Sequence, residues 1–218
     1  MKQVVLHKDE TLEQILLNEQ NLDLHILQEA GSLLRLHLFH WKNFSSENHI
    51  LVEQKGENCT TEINGLIIGS GNQHISNITH VVHAVGKGTS RQLFKYILGD
   101  QAEGYFEGRL KIVQDAQQTS AEQTNRNLLL STTARMRTLP QLEIYADDVK
   151  ASHGASTGQL DESALFYMQQ RGLTRSQARM MLINAFAQDV LNAVSDDTLR
   201  QQIALDIEQQ IEKIMQSE

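Results

Sequence analysis

Cysteine is almost missing from this chain of 218 residues, where Cys59 stands alone. A single thiol closes no intrachain disulfide and makes no self-contained thiolate metal site. A thiolate-held cofactor bound stably by this chain alone is therefore not expected. Proline is equally scarce, with Pro140 the one example, and aromatic residues make up only 5%. Missing too is any apolar run near the roughly 20 residues that a membrane-spanning helix needs. The opening MKQVVLHKDE has no apolar stretch of signal-peptide length before charge returns, so a cytosolic chain without membrane contact is expected. Positive charge is short as well. A net charge of -8 leaves no basic footprint for a phosphate backbone, and nucleic acid is not expected as a partner. No Walker-type loop, G-x-S-x-G elbow or H-E-x-x-H helix occurs, so an autonomous hydrolase is not supported.

What is present is repetition. Apolar, β-branched runs recur in two interleaved series, one at residues 4–6, 34–39, 66–68, 96–98 and 128–130, the other at 22–27, 50–52, 81–85, 110–113 and 142–145. In both, the centres lie roughly 30 residues apart, inside the range of solenoid repeats. Turn-forming stretches such as Lys55-Gly56-Glu57-Asn58 and Gly86-Lys87-Gly88 separate them. A β-sandwich would show turns without this long-range echo, whereas a parallel β-helix repeats whole coils so that like strands stack. The echo favours the β-helix. Pro140 is expected at the start of the last strand pattern, where it breaks no ladder bond.

The stretch 139–158, LPQLEIYADDVKASHGASTG, marks a change of period from two to about 3.6. Division into a solenoid over 1–158 and a helical domain over 159–218 is expected. Asp161-Glu162 opens a first helix that closes at Arg171-Gly172. Thr174 and Gln177 form a capping box for a second, with an apolar stripe of Ala178, Met181, Leu182, Ala185, Phe186 and Val190. A third begins near Ser195 and carries Leu199, Ile203, Ile207, Ile211 and Ile214.

Nine histidines invite a metal reading. The pairs His37/His40 and His80/His83 put their side chains on opposite strand faces, poor geometry for a shared ion, and solvated outer-face histidines are expected instead. The paired carboxylates Asp147-Asp148 fit either an acid/base or divalent-ion site of a β-helical polysaccharide lyase or, more simply, a turn. His153 falls among small residues after the last expected strand. It should be an accessible loop imidazole at the solenoid's end, a side chain able to bind iron.

From Gly108 onward the chain reads GRLKIVQDAQQTSAEQTNRNLLLS and then PQLEIYADDVKASHGASTGQLDESALFYMQQRGLTRSQARMMLINAFAQDVL. The Gln117, Gln123, Asn125, Asn127 cluster before LLLS, the ADDVK-x-SHGA segment and the FY-x-x-x-RG pattern together resemble the SufB/SufD family, closest to its SufD-type members. The resemblance implies a right-handed parallel β-helix followed by helices, acting as a non-enzymatic scaffold for iron–sulfur cluster assembly. It implies pairing with a SufB-like subunit, docking of a SufC-like ABC ATPase, and a transient cluster at the subunit interface. On the same ground His153 is a candidate iron-facing residue. Leu142, Ile144 and Ala146, in the final coil, and Arg171 and Gly172, in the helical part, are candidate partner contacts. Without a partner, the final coils should join two copies into a homodimer. Two departures from the family stand out: Ala151 occupies a place where cysteine is frequent, and the family's N-terminal helical segment has no counterpart before Val4. The alternatives from other classes are a carbohydrate-active β-helix and a solenoid that only mediates protein contacts.

Overall fold

A computed structural model describes residues 2–217. Among them, strands alternate between two parallel sheets. In chain order they are β1 (Lys2–Leu6), β2 (Thr11–Leu17), β3 (Asp23–Gln28), β4 (Leu33–His40), β5 (Ser46–Gln54), β6 (Thr60–Gly69), β7 (His74–His83), β8 (Thr89–Leu98), β9 (Glu103–Ile112), β10 (Thr119–Leu129), β11 (Arg135–Ile144) and β12 (Val149–Gly158). Odd-numbered strands stack as one sheet, β1-β3-β5-β7-β9-β11, and even-numbered strands as the other, β12-β10-β8-β6-β4-β2. Each coil thus adds one strand to each sheet, the arrangement of a parallel β-helix. Three helices follow: α1 (Glu162–Gln170), α2 (Arg175–Leu191) and α3 (Asp197–Ser217).

The corners repeat as faithfully as the strands. Asp9, Gly31, Asn58, Lys87 and Gln118 each precede an even-numbered strand, and all adopt a left-handed backbone with φ between 58° and 73°. Asp, Gly and Asn take that conformation readily, Lys and Gln less so. Stacking holds it in place: Asp9 N–H donates to Ala30 O, Gly31 N–H to Glu57 O, Lys87 N–H to Gln117 O and Gln118 N–H to Asp148 O. A side chain at Gly31 would meet the Asp9 carboxylate of the coil beneath, 2.1 Å from its Oδ1.

Inside the solenoid, register sorts residues into columns. Ile26, Val52, Val81, Leu110 and Leu142 form one, running the length of the odd-numbered sheet. In the even-numbered sheet, Leu38, Gly65, Phe94, Asn125 and Ala155 form another. Phe94 lies over Gly65, where an added Cβ would come within 2.4 Å of the ring, and tilts against Phe106 at 4.7 Å between centroids. Polar residues are admitted where they pair. Asn48 donates to Asn77, Asn77 donates to Tyr96 Oη, and Tyr96 Oη donates to the carbonyl of Tyr105.

The outer face of the even-numbered sheet is covered by helices. Phe39, Leu66, Ile68, Ile97 and Leu128 pack against Ile183, Ala187 and Val190 of α2 and Ile203, Ile207, Ile211 and Ile214 of α3. Lys95, in the same outward column as Phe39 and Leu66, is only 2% exposed. Its Nζ donates to Phe186 O and to Asp189 Oδ2, both at 2.7 Å, and lies 4.9 Å from the Phe186 ring centroid. A buried ammonium satisfied in this way pins α2 to the solenoid.

The parallel β-helix, both ends of α1, the capping box of α2 and the Ile203–Ile207–Ile211–Ile214 stripe match the sequence expectation. Several details are corrected. Residues 4–6 stack with the second apolar series, not the first, and β2 and β12 were not foreseen as strands. In α2, Ile183 and Ala187 are buried while Met181 and Ala185 are exposed, because the helix must serve the sheet and α3 at once. Pro140 sits inside β11 rather than at its start, tolerated on an edge strand. The histidines expected in solvent are largely interior: His37, His40 and His83 are buried.

Candidate functional site: the open last coil

The last coil is built from β11 and β12, each the outermost strand of its sheet. β12 pairs with β10 from Thr119↔Val149 to Leu128↔Gly158, and β11 pairs with β9 from Arg135↔Glu103 to Ile144↔Ile112. No further strand among the described residues covers them, so one row of backbone donors and acceptors on each stays open. Residues of β12 are mostly exposed, and Ile144 and Tyr145 add exposed apolar surface beside them.

His153 is thus in a strand, not in the loop that small neighbours suggest. VKASHGASTG has poor β propensity, and its pairing with the in-register β10 holds it extended. His153 is the partner of Gln123, which is 1% exposed, and in-register parallel neighbours present their side chains to the same face. The imidazole therefore belongs to the interior column Leu36, Ile63, Gln92, Gln123, His153. It emerges in solvent only because the solenoid has no further coil above it. Ala151 lies two residues away on the same face and packs against the interior core. Leu142 and Ile144 line the facing strand at the same end, Leu142 partly buried in the core and Ile144 exposed. Ala146 is buried in that core as the chain turns toward β12.

Beneath this rim the interior becomes polar. Gln123, Asn125 and Asn127 occupy alternate, inward positions of β10, and all three are buried. Asn127 Nδ2 donates to Asn125 Oδ1, Ser156 O and Thr157 Oγ1, while Asn125 Nδ2 donates to Phe94 O. The carboxamide of Gln123 has no hydrogen-bond partner at either end, and Thr138 Oγ1 on the facing strand is likewise buried without one. In the sequence these amides form a motif without a place; their period of two, Q-T-N-R-N, is the signal that they share one strand face.

Arg171 and Gly172 lie elsewhere. They border a groove of about 800 Å³ between the α1–α2 turn, α2 and α3, with Met180, Met181, Glu208 and Met215 also lining it. Gly172, at φ 95°, makes the turn, and the neighbouring Phe166 and Tyr167 of α1 are exposed. Asp147 and Asp148 form the turn between β11 and β12. Gln118 N–H donates to the carbonyl of Asp148, and Asp148 N–H donates to Gln117 Oε1. Among the described residues, no group of three or more histidine, cysteine or carboxylate side chains could hold a metal ion. His153 is a single donor.

The family model described as SUF system FeS cluster assembly, SufBD core domain, matches residues 18–186. The chain belongs to the SufBD family. It is 41% identical over 156 residues to the iron-sulfur cluster assembly protein SufD of Escherichia coli, an alignment covering 72% of this chain and 37% of that protein. An iron-sulfur cluster assembly SufBD family protein of Synechocystis is 41% identical over 151 residues, covering 68% and 33%, and SufD of Bacillus subtilis is 31% identical over 157 residues, covering 72% and 36%. The aligned part thus spans about a third of these SufD and SufBD relatives. The SufBD match takes in nearly every coil together with α1 and part of α2, including His153 and the amide cluster beneath it. It leaves the polysaccharide-lyase alternative without support.

Proposed function

We propose that this chain is a SufD-like, non-enzymatic scaffold subunit in iron–sulfur cluster assembly, and that its open last coil is the surface on which a SufB-like subunit pairs. The observation that carries the reading is the coincidence of two unpaired edge strands with one exposed, inward-column imidazole. Joining sheets satisfies the open backbone groups of β11 and β12, and the join seats His153 at the seam. A nascent cluster there is cargo rather than a resident cofactor. His153 supplies one donor, a nitrogen of the kind iron accepts, and the partner supplies the others. Ala151 leaves this subunit without a thiolate at the rim, which places the sulfur ligands on the partner. Leu142 and Ile144 form the apolar border of the seam, and the chain turn at Ala146 sets the separation of its two edge strands. In the absence of the partner, the same edges join two copies of this chain.

The helical part takes the second role. The groove at Arg171 and Gly172 sets Met180, Met181 and Met215 among polar and charged side chains such as Asn184, Glu208 and Glu212, a mixed surface with adaptable methionines, and a SufC-like ABC ATPase is its proposed occupant. Reconstitution with SufB-like and SufC-like subunits, followed by visible absorption of the product, tests the reading. A ternary complex that acquires iron–sulfur charge-transfer bands only when this chain is present is expected. Full cluster yield without this chain, or failure of the three chains to associate, would overturn it.

A further inference from the structure

The amide floor of the last coil has no role in the function as stated so far. Gln123 lies directly beneath His153, one strand spacing of about 4.8 Å away. Its side chain reaches across the interior to Gly108 of the facing sheet, where an added Cβ would stand 1.9 Å from Nε2 and 2.7 Å from Oε1. The space for that carboxamide exists because residue 108 has no side chain. Gln92, one coil further in, is satisfied at one end: its Oε1 accepts from Thr79 Oγ1 at 2.7 Å, while its Nε2 is unpartnered. Gln123 has neither end satisfied although it is 1% exposed. Leaving a buried amide unpaired is costly, and an apolar residue of the same size, as Ile63 is two coils below, would avoid that cost.

We propose that Gln123 is a positioning residue for His153: its carboxamide oxygen, without a partner in this structure, turns toward the rim to accept the ring N–H on the inner side of the imidazole, fixing the tautomer and aiming the other ring nitrogen out of the solenoid toward the seam. This rests on the reading of His153 as the iron-facing donor. Histidines that ligate metals generally donate their second ring N–H to a carbonyl or carboxylate, and loss of that partner typically weakens metal affinity 10–100-fold. A carboxamide in the floor can do this whichever way its two ends are turned, since each end is open in turn. Gln92 keeps one end on its own wall, whereas Gln123 keeps neither.

The test compares Gln123→Leu with Gln123→Glu in the full chain. An imidazole N–H open to water exchanges too fast to be observed near neutral pH, whereas one held by a buried acceptor gives a protected downfield proton resonance. That resonance, assigned by its loss in His153→Ala, is expected in the unsubstituted chain and in Gln123→Glu and absent in Gln123→Leu. Gln123→Leu should also keep or raise the denaturation midpoint, and iron retention by the reconstituted complex should weaken 10–100-fold. A resonance indifferent to Gln123→Leu, or missing from the unsubstituted chain, overturns the proposal while leaving the role of His153 intact. Full cluster assembly by His153→Ala would instead remove the role and leave the resonance result standing.

Discussion

The middle coils and the last coil are made from the same column positions and put them to opposite uses. Along Leu36, Ile63, Gln92, Gln123 and His153, the side chains pass from apolar, through an amide hydrogen-bonded at one end, to unpaired amide and exposed imidazole. Along Leu38, Gly65, Phe94, Asn125 and Ala155 they pass from bulky packing to small and polar. A residue in the middle is judged by how it fills space between two neighbours, whereas a residue at the end has a neighbour on one side only. On the proposed function, stability and function are thereby separated along one axis of the molecule, and substitutions at equivalent positions should reveal the gradient.

The largest effect belongs to the middle. Phe94 is fully buried, packed over Gly65 and against Phe106, and Phe94→Ala should cost about 3–5 kcal/mol in denaturant unfolding through lost burial and a cavity. A cost below about 1 kcal/mol would mean that these coils are not packed as described.

The next effect depends on pH. His83 occupies the column of Gln28 and Gln54, with Nε2 2.8 Å from Ser90 Oγ and Nδ1 unpartnered. Burial lowers its pKa from 6.5 to about 4. Between those values the unfolded chain binds a proton that the folded chain refuses. Stability therefore holds above about pH 6.5 and declines as pH falls toward 4, by on the order of 3 kcal/mol in full. His37 and His40, their pKa values also lowered by burial, act in the same direction. His83→Gln restores the residue of the two preceding coils and should make the acid decline shallower. An unchanged slope of stability against pH would show that His83 is not sealed in the core.

How far these positions were legible in the sequence follows from the same contrast. The coil period, the corners at Gly31, Asn58 and Lys87 and the capped helices are readable from the sequence, whereas the corners at Asp9 and Gln118 carry no glycine-bearing turn signal of their own. Thr174 and Gln177 specify a helix start within four residues, and a left-handed Asn58 or Gly31 announces its corner alone. Membership of a column is not local. His37 looks like a solvated strand residue until the turn at 193–196 is laid over it: Glu13 Oε1 lies 3.3 Å from His37 Nε2 and accepts the Ser195 N–H. β12 was illegible for the converse reason. Its Ala, Ser, Gly and Thr residues carry no burial signal because they end the stack and bury little. The site was visible as a motif, while its geometry, an imidazole standing above an unsatisfied glutamine, required the register between residues 123 and 153.

The smallest expected effect on stability falls at His153, and it tests the account most directly. His153→Ala should shift the unfolding free energy by no more than about 1 kcal/mol, the net contribution of one hydrogen bond at an otherwise exposed side chain. In the same chain, placed in cells that depend on it for iron–sulfur cluster assembly, cluster maturation should be lost although the complex still forms. Full maturation with the alanine variant, or a loss of folding as large as that of Phe94→Ala, would contradict the division between a coil stack that holds the molecule together and an open end that does its work.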